Sequence, residues 1–530
     1  MLTTAFAPER TAPHVNGKRT KSVTIIGAGP GGLAAALLLA NSGVKVRIIE
    51  RLPQVGGRCS KIEADGFRFD LGPTFFLYPT VLERIFRLIG RDLHREIPMV
   101  RLDPQYRITF GSGGELLCTP NLDKMEAEVR KISVADAGNV RRFIEENRTK
   151  LEAFRPVLES PFSGWKDLFK LSLLKLLPIL RPWKSLDSEL NRYFEDPRIR
   201  LAFAFQSKYL GMSPFNCPSL FSILSYLEYE FGVWHPIGGC NAVSEGMARI
   251  AREMGVEISL GESVENIIFE GRKAVGVRTD AGEFRSDAVV MNADFAQAAS
   301  KLIPNNLRRN WTDEKIAKKK FSCSTFMMYL GIEGCYDNIN HHTIYTSANY
   351  VENLKDIVTN QKLTDDTSFY VQNASITDST LAPKGMSTIY ILAPVTNMNE
   401  NVDWTKEAPA FRAKVLKQLE KIGIKGIEKR IRYEKIVTPA DWQNQYEVYR
   451  GATFNLAHNL GQMLHLRPRN RFDDVENVYL VGGGTHPGSG LPVIYESARI
   501  TSRLLLNDLS LDASGLDEAN QPTVANSSKQ

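Results

Sequence analysis

The sequence predicts an α/β chain whose strand core is left twice and completed only near the C-terminus, and three separated stretches carry that prediction. Residues 21 to 50, KSVTIIGAGPGGLAAALLLANSGVKVRIIE, read as a β-branched strand, a glycine turn, an Ala/Leu-rich helix closed by Gly43 and a second apolar strand ending at Glu50. That order is a βαβ unit. Residues 256 to 292 read as a strand-rich return, with EISLGESVENIIFEG, KAVGVRTDAGEF and SDAVVMNAD divided by turn signals. Residues 478 to 481, VYLV, make one further buried strand, followed by a glycine-rich loop and a helix from about Val493.

Between these lie two long mixed blocks without an internal repeat. The resulting expectation is a discontinuous α/β domain from 21–115, 231–299 and 456–507, with an inserted mixed α+β domain from 116–230 and 300–455. Residues 1–20 are expected to be flexible, and 508–530, rich in Asn, Ser, Asp and Gln, to be a disordered tail.

Composition removes several classes of function. The 530 residues can bury an enzyme-sized core, and the net charge of +6 comes without a long basic run interleaved with aromatics, so no nucleic acid partner is expected. The six cysteines are scattered, with no CxxC pair and no histidine spacing for zinc, so no metal is expected. His341 and His342 are adjacent, would face opposite ways on a strand, and read as a solvated loop. The first twenty residues lack a continuous apolar run, and no stretch approaches the roughly 20 apolar residues of a spanning helix. A cytoplasmic protein acting at most from a membrane surface is expected.

Gly27, Gly29 and Gly32 form GxGxxG directly after the first strand. The first glycine permits the tight turn, the second lets backbone approach a pyrophosphate, and the third permits close helix–strand packing, with the phosphate on the helix N-terminus. Glu50, 21 residues beyond Gly29, stands where a carboxylate accepts hydrogen bonds from an adenosine ribose. The pattern serves FAD and NAD alike. Beyond it come RLPQVGGRCS, with Gly56, Gly57 and Arg58, and FRFDLGPT at 67 to 74. Cys59 reads as a packed thiol.

The GGR just past the ribose acid resembles the flavin-dependent amine oxidase and phytoene desaturase superfamily. That resemblance implies FAD as cofactor, a Rossmann-like FAD domain, and an Arg58 that reaches cofactor phosphate with its planar fork. Residues 220 to 258, with YEFGVWHPIGG before a helix and GVEI after it, are similar to the carotenoid desaturase branch. Gly238 and Gly239 would then pass close to the flavin, and the backbone near Val264 would contact the adenine. VYLVGGGTHPGSGLPVIYESARI resembles that branch's C-terminal signature, which closes over the isoalloxazine ring. Gly483 and Gly484 would lie in this closure, and a helix beginning near Leu491, Pro492 and Val493 would aim its amides at the ring edge that gains negative charge. Glu496 reads as a first-turn helix acid. His486 stays open between a flavin-facing and a loop histidine. YRGATFNLAHNLGQMLHLRPRN, 449 to 470, also follows the family order, and His458 receives no catalytic role.

The resemblance implies a bacterial-type phytoene desaturase: removal of hydrogen from a lipophilic acyclic isoprenoid such as phytoene or dehydrosqualene, by hydride transfer to flavin N5, with electrons passed to oxygen or a quinone. A carotenoid isomerase or terminal carotenoid oxygenase of the same superfamily is one alternative, and a non-catalytic flavin-containing isoprenoid carrier another. No proton acceptor is legible. Residues 165 to 184, WKDLFKLSLLKLLPILRPWK, combine an apolar body with Lys166, Lys170, Lys175, Arg181 and Lys184, which suggests peripheral docking on the cell membrane, with a pair of buried core helices as the alternative.

Overall fold

The computed structural model describes residues 14–15, 18–161 and 171–516. Its central layer is a five-stranded parallel sheet in the order Glu257–Leu260, Lys45–Glu50, Ser22–Ile26, Ala288–Met291, Val478–Leu480. All three predicted stretches supply strands to it, and each neighbouring pair is parallel. The helix Pro30–Asn41 is buried from Pro30 to Leu39, which its unbroken Ala/Leu sequence requires: a helix without a polar face is stable only when covered on every side. The helices Asn241–Glu253 and Leu491–Asp508 cover it. Between Glu257–Leu260 and Ala288–Met291 the chain makes a separate antiparallel sheet from Val264–Glu270, Lys273–Thr279 and Gly282–Arg285.

A second, seven-stranded sheet runs in the order Glu115–Cys118, Tyr106–Phe110, His342–Thr346, Phe369–Gln372, Met386–Val395, Ser324–Glu333, Ile431–Val437. The boundary expected at 115 falls inside its edge hairpin. Tyr106–Phe110 pairs with Glu115–Cys118 on one side and with His342–Thr346 on the other, so backbone pairing carries both strands out of the first layer. A short sheet of Phe76–Leu77, Val233–Pro236 and Met99–Arg101 lies between these regions of the chain.

Two other expectations are corrected. His341 and His342 are not in a solvated loop: they are 4% and 0% exposed at the start of His342–Thr346, because a central strand covered on both faces buries consecutive side chains alike. Nor is the whole of 508–530 an unstructured tail. The last helix continues to Asp508, and Ala513 and Leu516 pack into the core around Pro30–Asn41; residues 517–530 lie outside the described residues. At the other end, His14–Val15 pairs with Lys18–Arg19 within the stretch expected to be flexible. Among the described residues no helix is long and apolar enough to cross a membrane, and no group of acidic, His or Cys side chains is arranged to hold a metal.

Candidate cofactor site

The first glycine loop follows directly from its strand. Gly27 N–H donates to Ile49 C=O at 2.8 Å, tying the turn to the neighbouring strand. The helix at Pro30 begins with no side-chain cap, and its first helical bond runs from Leu33 N–H to Gly29 C=O at 3.0 Å, so the amides of the first turn are left for a ligand. A Cβ on Gly32 would sit 2.4 Å from Gly27 O, which is why this position excludes every other residue. Glu50 ends the adjacent strand beside the turn. Its Oε2 accepts from Ala28 N–H at 2.7 Å and its Oε1 from Leu52 N–H at 2.8 Å. Burial pushes this carboxyl above its usual range against the pull of those amides. Each oxygen retains a lone pair for a ribose hydroxyl. Val264 opens its strand in contact with the cluster of Ile26 and Ile49, two residues past Glu262, whose N–H donates to Glu50 C=O at 3.0 Å.

The GGR turn packs onto this loop. Gly56 N–H donates to Ala28 C=O at 2.8 Å, and a Cβ on Gly57 would lie 3.6 Å from Gly29 Cα. Arg58 Nη1 donates to Thr453 C=O at 2.8 Å and stands 3.8 Å from the buried Asp294 carboxylate. With its amide nitrogen on Asp294 Oδ2 at 2.6 Å, Asn455 accepts from Arg58 Nη1 and Nη2 at 3.2 and 3.1 Å. Arg58 thereby joins the first loop to the segment that precedes the second.

The second loop is braced from behind. Arg467, 1% exposed, donates from Nη2 to Gly483 C=O at 2.6 Å and from Nε to Thr485 C=O at 3.1 Å. No carboxylate forms an ion pair with it among the described residues, and burial pulls its guanidinium down to about 9. Asn470 Nδ2 donates to His486 C=O at 3.0 Å, and Ser489 N–H donates to His458 Nε2 at 3.0 Å. His458 is thus a neutral acceptor that shapes the loop. Gly484 has no room for a side chain, since a Cβ would meet Phe295 Cβ at 2.6 Å; at Gly483 the nearest atom, on Asn455, would be 3.1 Å away. The helix that follows starts at Leu491 with Pro492 in its first turn and again has no side-chain cap; its first bond, Ile494 N–H to Gly490 C=O at 2.9 Å, leaves the Leu491 and Val493 amides at the open end.

The two loops meet in space. A Cβ on Gly31 would lie 2.5 Å from Val481 Cγ1 and 3.1 Å from Ile494 Cγ2. Asn292, at the end of the strand between them, donates from Nδ2 to Gly27 C=O at 3.0 Å and Gly29 C=O at 3.3 Å, while its Oδ1 lies 3.3 Å from where a Gly482 Cβ would stand. Sequence reasoning missed Asn292; its position one residue beyond a parallel strand was the available signal.

Glu496 stands differently from expectation, and the surroundings of His486 and Gly239 are defined. Glu496 is in the second turn, 4% exposed, with Oε1 bound by Arg499 Nε at 2.8 Å and Nη2 at 2.5 Å: it is half of a buried ion pair, because the helix begins at Leu491 and is covered on this face. His486 Nε2–H donates to Ser160 C=O at 3.0 Å, and burial pulls its imidazole down to about 4, which resolves it as a buried loop histidine. Gly239, at φ 93°, faces Asp70, whose Oδ1 would be 2.7 Å from a Cβ. Asp70 accepts from Cys240 N–H, Asn241 N–H and Asn241 Nδ2, each at 2.9 Å, and so caps the helix Asn241–Glu253.

Two uncapped helix ends joined through Asn292, a ribose-accepting carboxylate and backbone held open by absent side chains fit a long dinucleotide lying across both loops. Comparison with known proteins agrees. The model of the flavin containing amine oxidoreductase family matches residues 30–506. The chain is 43% identical over 488 residues to a 4,4'-diapophytoene desaturase (4,4'-diapolycopene-forming) of Methylomonas sp, covering 92% of this chain and 95% of that protein. It is 40% identical over 502 residues to an all-trans-zeta-carotene desaturase of Myxococcus xanthus, covering 93% and 94%, and 33% identical over 492 residues to a lycopene-forming phytoene desaturase of Pantoea ananas, covering 92% and 100%. Among solved structures, an oxidoreductase from Methanosarcina mazei shares the fold with a TM-score of 0.60 at 17% identity, over 90% of this chain and 98% of that one. A putrescine oxidase variant does so with a TM-score of 0.59 at 14% identity, over 93% and 99%. The fold and site define an FAD-dependent oxidoreductase. The chain belongs to the flavin containing amine oxidoreductase family and, within it, to the carotenoid desaturases.

Proposed function

We propose that the protein desaturates an acyclic carotenoid precursor such as phytoene or dehydrosqualene. The observation that carries this reading is the convergence of the two glycine loops through Gly31, Val481, Ile494 and Asn292, in a chain whose relatives named for such desaturations align along nearly its whole length. FAD, when bound, supplies the oxidant by accepting hydride at N5.

The residues of the chain do the rest. Glu50 and the Pro30 helix end hold the nucleotide half, and the Leu491 helix end presents its positive dipole to negative charge gained on reduction. Arg467 adds a buried cation beneath the same loop. Phe75, Tyr78 and Phe231, packed against the large aromatic cluster of the second region, line apolar surface suited to a hydrocarbon chain and poor for water.

The substrate dissolves in lipid, so entry from a membrane surface is part of the proposal. Leu177 within the helix Leu171–Leu180 and Trp183 just past its end are both exposed, which supports it. Lys166 and Lys170 lie outside the described residues, as does the side chain of Lys175. Electrons then pass to oxygen or a quinone.

The test is expression in bacteria that make either phytoene or dehydrosqualene, followed by pigment extraction. Absorption bands red-shifted from the colourless precursor are expected, and colourless cells containing FAD-loaded protein would overturn the substrate assignment. Replacing Lys166, Lys170 and Lys175 by Glu is expected to release the protein from anionic liposomes; unchanged co-sedimentation would remove this segment from the docking surface.

A further inference from the structure

Desaturation releases a proton as well as a hydride, and a proton leaving a hydrocarbon carbon needs an acceptor held within reach of it. One polar row in the second region has no part in the cofactor site. Asp378 Oδ2 meets His235 Nε2 at 3.0 Å; the His235 and His341 rings lie 4.7 Å apart and those of His341 and His342 4.4 Å apart. His342 Nδ1 is 2.7 Å from Tyr370 Oη, which is 2.8 Å from Thr74 Oγ1. All three imidazoles are 4% exposed or less, and His342 Nε2 and His235 Nδ1 have no hydrogen-bond partner among the described residues. Burying such groups unsatisfied is unfavourable by about 1–3 kcal/mol each, so stability alone does not explain them.

The row ends beside the cofactor loops. A Cβ on Gly72 would be 2.5 Å from Arg58 O in the GGR turn. Hydroxyls of Tyr329 and Tyr390 fix this stretch by donating to Leu71 C=O at 2.5 Å and Gly72 C=O at 2.7 Å. Thr74 follows two residues later. Pro73 is exposed, and Phe75 and Tyr370 are partly exposed while Thr74, His342 and Tyr390 are buried, so the Tyr370 end of the row borders open space. Phe75 also stacks on His342 at 4.1 Å and 13°, which holds the imidazole in line with the phenol.

We propose that Tyr370 takes the proton lost in the desaturation, resting on the reading above, while passing its own to His342. The C–H bond next to the carbon that loses hydride breaks and its electron pair becomes the new double bond. The proton goes to Tyr370 Oη, and the phenolic proton moves to His342 Nδ1. The phenol is restored, an imidazolium is left, and the two electrons leave with the hydride to FAD. Burial, with His341 and His235 as neighbours, holds His342 well below the usual histidine range, so it rests neutral, with Nδ1 2.7 Å from the phenol as the acceptor and the imidazolium as a short-lived carrier of the proton. Burial raises Asp378, but His235, Thr380 and the Gly238 amide outweigh it and keep the carboxylate charged beside His235 at the far end of the row. His341, His235 and Asp378 act as positioning residues.

The test is anaerobic bleaching of the FAD-loaded protein by precursor, in H2O and D2O. Failure of the parent protein to bleach would overturn the assigned reaction itself. With the parent active, Tyr370→Phe is expected to bleach about 100-fold or more slowly and to lose the solvent isotope effect, with flavin content unchanged. Bleaching at the parent rate with the same isotope effect would overturn the proposal alone. If Tyr370→Phe releases flavin, His342→Gln decides in the same way. Independently of turnover, 15N NMR of labelled histidines is expected to show His342 as the Nε2–H tautomer with Nδ1 hydrogen-bonded, and that bond lost in Tyr370→Phe; an Nδ1–H tautomer would overturn the relay.

Discussion

The two glycine loops serve one site but are made in different ways. The first, at Gly27 to Gly32, is held by its own strand, helix and nearest neighbours in sequence, with Gly27 N–H on Ile49 and Leu33 N–H on Gly29. The second, at Gly482 to Gly490, depends on a buried brace of Arg467, Asn470 and His458 reaching it from the preceding segment. One loop is locally encoded; the other takes its shape from side chains that must themselves be buried first.

The sharpest way to break the comparison is at Gly32. With a carbonyl 2.4 Å from any added Cβ, Gly32→Val is expected to yield protein without flavin absorbance, and full FAD content would show that the first loop does not hold the cofactor. A smaller effect is expected from Arg467→Gln, which withdraws donors from the Gly483 and Thr485 carbonyls. An unsatisfied buried acceptor costs about 1–3 kcal/mol, so FAD is expected to bind roughly 10–100-fold more weakly while the first loop stays intact. Equal affinity in a flavin titration would mean that the loop is held otherwise.

A further effect is one of pH, and it touches the second loop alone. His486 is held at about 4 against 6.5 unfolded, and His458 is also displaced well downward, both by burial first. The unfolded chain therefore binds more protons between these values. Stability is fully present above pH 6.5 and falls as pH drops toward 4, by on the order of 3 kcal/mol for His486. Melting temperatures at pH 7 and 4.5 are expected to show this, with a shallower loss in His486→Asn; an unchanged slope would remove His486 as its source.

Much of the cofactor half was legible because its signals are short-range. GxGxxG, Glu50 and the GGR turn lie within one βαβ unit and its exit, where spacing implies geometry. Arg58 was legible as a candidate, but its contacts with Thr453 and Asn455 come from nearly 400 positions away. Glu496 was misplaced because its helix begins at Leu491 and is covered by other elements. His341 and His342 were read as solvated because polar residues in a row look like a loop until they prove to open a central strand that other elements bury.

By itself, the sequence determined the parallel strands, the turn that only glycine can make, the family and the chemistry that goes with it. These rest on backbone sterics and on periodicity, which act over a few residues. Only the tertiary structure decided that Asn292 joins the two loops, that Asp70 caps Asn241–Glu253, that Arg467 is buried against the Gly483 and Thr485 carbonyls, and that Asp378, three histidines and Tyr370 form one row. Each of these depends on desolvation, and desolvation belongs to no residue until distant segments have closed around it.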